Sequence, residues 1–109
     1  MKLHEVLLTE DAERDLEEIH SGLLERRSPE QAEKLLSEVL RIADSLSILP
    51  DRGSCPQELS WLGVREFKQV MLPPYRLIYR RFESRVVIVL IADGRQDMQS
   101  LLERRLLGA

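Results

Sequence analysis

The chain has 109 residues, of which 43% are hydrophobic and 32% charged, and its formal net charge is −3. This length fits one domain, and this composition is typical of a folded rather than a disordered chain. We therefore expect a single domain over residues 1–109. The longest uninterrupted apolar run, residues 86–92, is too short to span a bilayer, and the start lacks the basic stretch and apolar run of a signal peptide. We expect a cytoplasmic protein that has no contact with a membrane.

The charge is unevenly distributed along the chain. Residues 1–54 carry 7 basic and 13 acidic side chains, whereas residues 55–109 carry 9 basic and 6 acidic ones. A local basic surface on an acidic protein favours a specific contact with an anionic partner. The alternative is that these arginines only keep a sheet soluble.

The first half of the chain predicts a strand followed by two helices. Residues 3–8 are rich in apolar side chains and precede Thr9, which is a good N-cap. Ser28 and Pro29 mark a second helix start, and apolar residues follow at helical spacing as far as Leu49. Because the two helices are closely joined, we expect an antiparallel hairpin with one shared apolar face.

The second half changes to the alternating pattern of strands after a predicted loop at 50–63. Three strands and a short terminal helix are expected at 64–72, 75–82, 85–92 and 98–107. The last strand is apolar at nearly every position, which suits a central strand covered on both faces. The predicted fold class is therefore α+β in two layers: an N-terminal strand and an αα-hairpin packed on an antiparallel sheet with a three-strand meander, followed by a short C-terminal helix.

The sequence lacks the patterns of metal, nucleotide and nucleophilic sites. His4, His20 and the single Cys55 do not have the spacing of a zinc site, and the five glycines form no phosphate loop. We therefore expect no metal and no cofactor. No histidine or lysine follows Lys68, so the chain offers little for the proton transfers that phosphodiester cleavage needs. What remains is arginine, whose planar charged fork binds phosphate or carboxylate.

Alternation along the second meander strand places two of these arginines together. Arg76 and Arg80 share one face, with Ile78 between them. Since the helical hairpin is expected to cover the other face, we expect the functional surface on the face that carries these arginines.

Four segments in register resemble the RelE/ParE superfamily of type II toxin–antitoxin systems, which includes plasmid stabilisation proteins. They are Gly63-Val64-Arg65-Glu66, Tyr75-Arg76-Leu77-Ile78-Tyr79-Arg80, Val86-Val87-Ile88-Val89 and Asp93-Gly94-Arg95-Gln96-Asp97. The resemblance covers nearly the whole chain and implies a sheet whose first strand lies beside the last. It also implies a toxin with a cognate antitoxin protein as partner, in an assembly that is either a homodimer or a toxin–antitoxin hetero-oligomer.

The superfamily divides by mechanism. RelE-like members cleave messenger RNA on the ribosome, whereas ParE-like members inhibit DNA gyrase and are not enzymes. By alignment Arg76 matches the sheet arginine of the nucleases, but their second arginine falls at Gln96 and their terminal tyrosine at Leu102. Asp93 stands where related toxins often have histidine. These departures favour a ParE-like gyrase inhibitor. The alternatives are a ribosome-dependent endoribonuclease that uses Arg76, and a non-toxic module that only binds its partner.

Two sets of residues are predicted to make the contacts of such a toxin. The target-binding set is Arg76, Arg80, Arg81 and Arg95. The antitoxin would add a strand to a sheet edge or lay a helix in an apolar groove, and the residues predicted to line that groove are Leu101, Leu102, Leu106 and Leu107. The alternative for these leucines is packing on the toxin's own core.

Overall fold

The computed structural model of the chain describes residues 3–108, so residues 1, 2 and 109 of the predicted domain lie outside it. The elements in chain order are β1 (Glu5–Leu8), α1 (Glu10–Arg26), α2 (Pro29–Ile48), α3 (Gln57–Ser60), β2 (Phe67–Leu72), β3 (Tyr75–Phe82), β4 (Arg85–Asp93) and α4 (Met98–Leu107). The predicted α+β class and element order are confirmed. The single-turn helix α3 is an addition, because the sequence predicted only a loop there. None of the helices in this part of the chain is long and apolar enough to cross a membrane.

The four strands form one sheet in the order β1-β4-β3-β2. β1 runs parallel to β4, and the other two pairs are antiparallel. The first strand therefore lies beside the last, as the resemblance implied. β2 begins at Phe67 rather than at Val64, because the Val64 N–H donates to the Leu59 carbonyl of α3 instead of entering the sheet.

Both predicted caps set the starts of the long helices. The Thr9 hydroxyl oxygen accepts a hydrogen bond from the Ala12 N–H (3.1 Å), and that of Ser28 accepts one from the Gln31 N–H (3.2 Å). Helices α1 and α2 pack on one side of the sheet, which we call the inner face. The buried residues of this main core are Ala12, Leu35, Val39, Ile42, Leu46, Val70, Leu72, Leu77, Tyr79, Val86, Ile88 and Ile91.

The opposite side of the sheet, the outer face, carries a second and smaller core. Its buried residues are Leu59, Phe67, Ile78, Leu90, Ala92, Met98 and Leu102. Leu59 of α3 and Leu102 of α4 have no exposed surface, and burying a leucine side chain stabilises a fold by about 1.5–3 kcal/mol. Much of the face expected to be open for function is therefore covered by these two short helices.

A β-bulge in β4 allows one apolar run to serve both cores. Ile78 pairs with Leu90 and Tyr79 with Ile88, so Val89 has no partner in β3. Ile88 faces the inner core, whereas Leu90 faces the outer one. The prediction of a central strand covered on both faces is thus confirmed, and the bulge turns the Val89 carbonyl out of the ladder.

Candidate functional site

Arg76 lies on the outer face of β3, buried under α3, with 8% of its surface exposed. Its Nη1 and Nη2 donate to the two carboxylate oxygens of Glu58 at 2.7 and 2.9 Å. Its Nε donates to Oε1 of Gln69 on β2 at 2.9 Å. These hydrogen bonds hold the pKa of the Glu58 carboxyl below its ordinary value, since the guanidinium stabilises the carboxylate. The three residues form a closed ionic group, the Arg76 cluster.

The turn after β4 and helix α4 support this cluster from either side. A Cβ on Gly94 would lie 2.9 Å from Cδ of Arg76, so the stem of the arginine passes where any other residue would have a side chain. On the other side, the Gln99 amide of α4 donates to the Glu58 carbonyl at 3.3 Å. The position of Arg76 therefore depends on contacts from β2, α3, α4 and the turn after β4.

Arg80 lies on the same face as Arg76, as predicted, but closer to the other end of β3. Its guanidinium carbon lies 4.4 Å from the ring centroid of Phe82 and 5.9 Å from that of Phe67. A cation over an aromatic ring at an exposed site is stabilised by about 0.5–1 kcal/mol. Arg80 is half-buried, so stacking orients its planar group while leaving donors open to a partner.

The other two predicted target-binding arginines lie elsewhere. Arg81 turns to the inner side of the sheet and forms an ion pair with Asp51 in the loop after α2. Arg95 follows β4 and is 77% exposed; its Nε lies 2.9 and 3.2 Å from the carboxylate oxygens of Asp93. This contact lowers the pKa of the Asp93 carboxyl to about 2. Hence the four arginines do not form one surface.

The four leucines of α4 are placed mostly against the chain itself. Leu102 is completely buried, Leu101 and Leu106 are partly buried against the outer core, and Leu107 is 42% exposed. This packing corresponds to the alternative stated for them. A contact of these leucines with an antitoxin stays a prediction. Of the four, Leu107 has the most surface accessible to such a partner.

A second ionic group, between Asp15 of α1 and Arg105 of α4, was missed by sequence reasoning. The two side chains form paired hydrogen bonds of 2.8 and 2.9 Å. Asp15 also accepts from the Ile91 N–H at 3.1 Å, and Arg105 donates to the bulged Val89 carbonyl at 3.3 Å. The pair thus occupies the edge of β4 beyond the end of β1. Its members are 90 positions apart, so no local pattern could indicate it.

A cleft between the α1–α2 connection and the start of β3 was also missed. Its volume is about 520 Å³, and the residues that line it are Ile19, Gly22, Leu23, Arg26, Arg27, Gln31, Pro74, Tyr75, Asp93 and Arg95. Of the predicted site residues it contains only Arg95. The consecutive arginines 26 and 27 were a visible signal in the sequence, but the sequence analysis made no use of them.

Residues 6–98 match the family described as the ParE toxin of the type II toxin–antitoxin system parDE. The chain belongs to this ParE toxin family. The ParE-like assignment made from the sequence is thereby confirmed. No curated protein matches the sequence at a significant level.

Two solved structures share the ParE-like fold of this chain. One is described as the chromosomal ParDE toxin–antitoxin system from P. aeruginosa; it is 18% identical, with a TM-score of 0.68, and the match covers 85% of this chain and 98% of that one. The other is the RelBE2 toxin–antitoxin complex from Mycobacterium tuberculosis, 26% identical, with a TM-score of 0.61 and coverage of 85% and 93%. At 18% identity the first structure shows the fold alone, and the second agrees with the RelE/ParE resemblance.

Proposed function

We propose that the chain is a toxin that inhibits DNA gyrase by binding it, without catalysis, and that a cognate antitoxin protein neutralises it. Membership of the ParE family supports the toxin role. The similar structures belong to toxin–antitoxin systems, which supports an antitoxin as the partner. The gyrase target is what the ParE-like resemblance implies, and the absence of catalysis is argued from the residues themselves.

The Arg76 cluster is the observation that carries the non-catalytic proposal. An arginine that stabilises the transition state of phosphoryl chemistry must present its donors to the phosphate. Arg76 instead directs both terminal nitrogens at the Glu58 carboxylate and its Nε at Gln69. Glu58 is ionised at neutral pH, and its pKa lies below the ordinary value because Arg76 stabilises the carboxylate, so it neutralises the positive charge of Arg76 locally. A phosphate would have to displace an anion that is already held in a paired geometry.

The target contact then falls to the arginines that solvent reaches. We propose that Arg80, Arg81 and Arg95 contact the target, and that Arg76 contributes by holding α3 against the sheet. The stacked guanidinium of Arg80 is an oriented donor, which loses little freedom on binding. It is therefore the first of the three to substitute.

The test is a supercoiling assay with purified gyrase, relaxed plasmid and ATP, into which the full chain is titrated. We expect inhibition that the product of the neighbouring antitoxin gene relieves. Arg80→Glu should weaken it, whereas Arg41→Glu, an exposed position on α2, should leave it unchanged. An intact supercoiling rate at large excess of the folded protein would refute the proposed target.

The ribonuclease alternative has an assay of its own. Ribosomes translating a defined message are mixed with the chain, and the message is examined for cuts at codon positions. We expect none. If cuts occur, Glu58→Gln should increase them because it frees Arg76, and that result would establish the nuclease instead. The third alternative is a non-toxic module that only binds its partner. It would be supported if cells overexpress the chain without antitoxin and grow normally.

A further inference from the structure

The outer face of the sheet is covered over only part of its length. Helices α3 and α4 pack on the part that carries the Arg76 cluster, whereas the end next to the β3–β4 turn has side chains that remain accessible. The strand register places these side chains beside one another. We call the group the hairpin patch, and its residues are Glu5, Leu7, Arg80, Phe82, Arg85 and Val87.

Two rows of side chains cross the strands in the hairpin patch. In the first row, Leu7 of β1 pairs with Val87 of β4, and Val87 pairs with Arg80 of β3. In the second row, Arg85 of β4 lies between Glu5 of β1 and Phe82 of β3. Alternate residues of a strand point to opposite faces, and the neighbours of these residues in β1 and β4 pack in the main core. Both rows therefore lie on the outer face.

The centre of the hairpin patch is apolar and accessible. Leu7 is 39% and Phe82 44% exposed, and Val87 is half-buried. Val87 has Leu7 directly opposite and Phe82 on the diagonal, so the three side chains are neighbours. Single exposed apolar residues are ordinary on a protein surface, whereas adjacent ones with polar residues around them are typical of protein interfaces.

The charges of the hairpin patch favour an acidic partner. Arg80 and Arg85 stand against one carboxylate, that of Glu5, whose Oε1 lies 3.8 Å from Nε of Arg85. Both members of this pair are largely exposed, so the contact is weak and screened by solvent. A second copy of the chain would bring the same guanidinium groups against each other, and like charges across an interface are unfavourable. A different protein with carboxylates at its surface complements the patch.

The stacking of Arg80 distinguishes a protein partner from a nucleic acid. Single-stranded nucleic acids bind through bases that stack on open aromatic rings. Here the Arg80 guanidinium carbon already lies 4.4 Å from the ring centroid of Phe82, so this ring face is not free for a base. The same contact fixes the plane of the guanidinium, whose fork matches the two oxygens of a carboxylate.

We propose that the hairpin patch is the surface through which the chain binds its target, and that it receives an apolar side chain flanked by carboxylates. This inference rests on the proposed function, because the target is taken to be gyrase. The apolar side chain covers Leu7, Val87 and Phe82, and the carboxylates pair with Arg80 and Arg85. Phe82 is also a positioning residue, because its ring holds the Arg80 guanidinium.

The test measures binding of the full chain to purified gyrase by isothermal titration calorimetry, together with inhibition of supercoiling. Leu7→Glu is compared with Leu40→Glu, which alters an exposed leucine of α2 in the other layer. We expect Leu7→Glu to bind at least roughly tenfold more weakly and Leu40→Glu to stay within about twofold. Arg85→Glu should also weaken binding and reduce its response to added salt, because it removes an attraction that salt screens. Circular dichroism verifies that each variant is folded.

A second set of variants tests the positioning role of Phe82. Phe82→Leu keeps an apolar side chain but removes the ring, and Arg80→Lys keeps the charge but removes the planar fork. We expect Phe82→Leu to weaken binding about two- to fivefold, the share of a cation–π contact. The double variant should bind no more weakly than Arg80→Lys alone, since both changes remove one stacked arrangement. If the two effects multiply instead, the ring does not position Arg80.

Each remaining outcome decides against the hairpin patch. If the wild type inhibits gyrase and Leu7→Glu and Arg85→Glu inhibit it equally well, the patch is not the site, although the proposed function stands. A dimer in sedimentation velocity that Leu7→Glu abolishes would assign the patch to a second copy of the chain. Binding of single-stranded DNA that depends on Arg80 and Arg85 would make it a nucleic-acid site. If the folded wild type neither binds nor inhibits gyrase, the patch and the proposed function fail together.

Discussion

Removing the Glu58 carboxylate leaves the Arg76 guanidinium buried with only one protein oxygen to bind. The two side chains are 19% and 10% exposed, so the charge left behind by Glu58→Ala cannot be fully hydrated. Breaking a fully buried pair costs about 3–5 kcal/mol, and losing hydrogen bonds to a charged group costs about 1.5–3 kcal/mol. Because Gln69 still accepts from Arg76 and the pair is not completely enclosed, we expect a loss of about 2–3 kcal/mol in the free energy of unfolding.

The assay is urea unfolding at neutral pH, followed by far-ultraviolet circular dichroism. For a small domain the expected loss lowers the urea midpoint by roughly 1–2 M. Glu66→Ala removes an exposed carboxylate and should change the stability by less than about 0.5 kcal/mol. The double variant Arg76→Met/Glu58→Leu removes both charges and should recover much of the loss, since apolar residues can replace a buried ion pair at little cost.

The pH dependence provides an independent check of the same pair. The folded-state pKa of Glu58 is lowered from 4.5, principally by the hydrogen bond from Arg76. A group whose pKa is lowered on folding stabilises the protein above its unfolded-state pKa and stops doing so as the pH falls through the folded-state value. The difference in the free energy of unfolding between the wild type and Glu58→Ala should therefore be complete above about pH 4.5 and should shrink as the pH falls below it. An equal stability of the two proteins at pH 7 would refute the reasoning, because the pair would then not hold α3 to the sheet.

Three further predictions concern helix α1, its ion pair with α4 and the turn after β4. Gly22→Ala should raise the free energy of unfolding by about 0.5–1 kcal/mol in a urea titration, since the new Cβ meets only the flexible end of Arg26; a loss would mean that the backbone there is strained. Asp15→Asn should lower it by about 2–3 kcal/mol, because the guanidinium on α4 loses its carboxylate; a loss below about 0.5 kcal/mol would contradict this contact. Arg95→Gln should raise the pKa of Asp93 from about 2 towards 3.8, and a carboxyl titration by NMR in which that pKa does not move would disprove the pairing.

Local signals in the sequence were sufficient for the long elements. The hydroxyl caps at Thr9 and Ser28 form the predicted hydrogen bonds, and Gly108 ends α4 with a left-handed φ of 71°. These features are decided by neighbours within a few positions, so a single sequence contains the whole cause. The all-apolar run in β4 is also a local signal. A strand that is buried on both faces has no polar position, so the run alone predicted a central strand.

The candidate site depends on contacts between distant segments, and there the sequence was insufficient. Alternation placed Arg76 and Arg80 on one face correctly. It could not show that α3 covers Arg76, because one helical turn has no periodicity and is held in place by the burial of Leu59. Arg81 pairs with Asp51 from 30 positions away, so its direction away from the other arginines was likewise not visible. Residue type indicated what could bind an anion, and only the fold determined which side chains are free to do so.

The Arg76 cluster also hinders a RelE-like use of this chain, because its ion pair occupies the arginine that a nuclease would present to the phosphate. A phosphate that used Arg76 would have to release Glu58 first, at a cost of about 2–3 kcal/mol. Since each 1.4 kcal/mol corresponds to a factor of ten, this lowers the affinity for the phosphate roughly 30- to 150-fold. The nuclease alternative thus requires the Glu58 carboxylate to leave Arg76, a requirement that does not apply to binding through the exposed arginines. Substituting Glu58 removes the carboxylate that must be released, so cleavage that remains absent in the variant would show that more than this ion pair separates the chain from a nuclease.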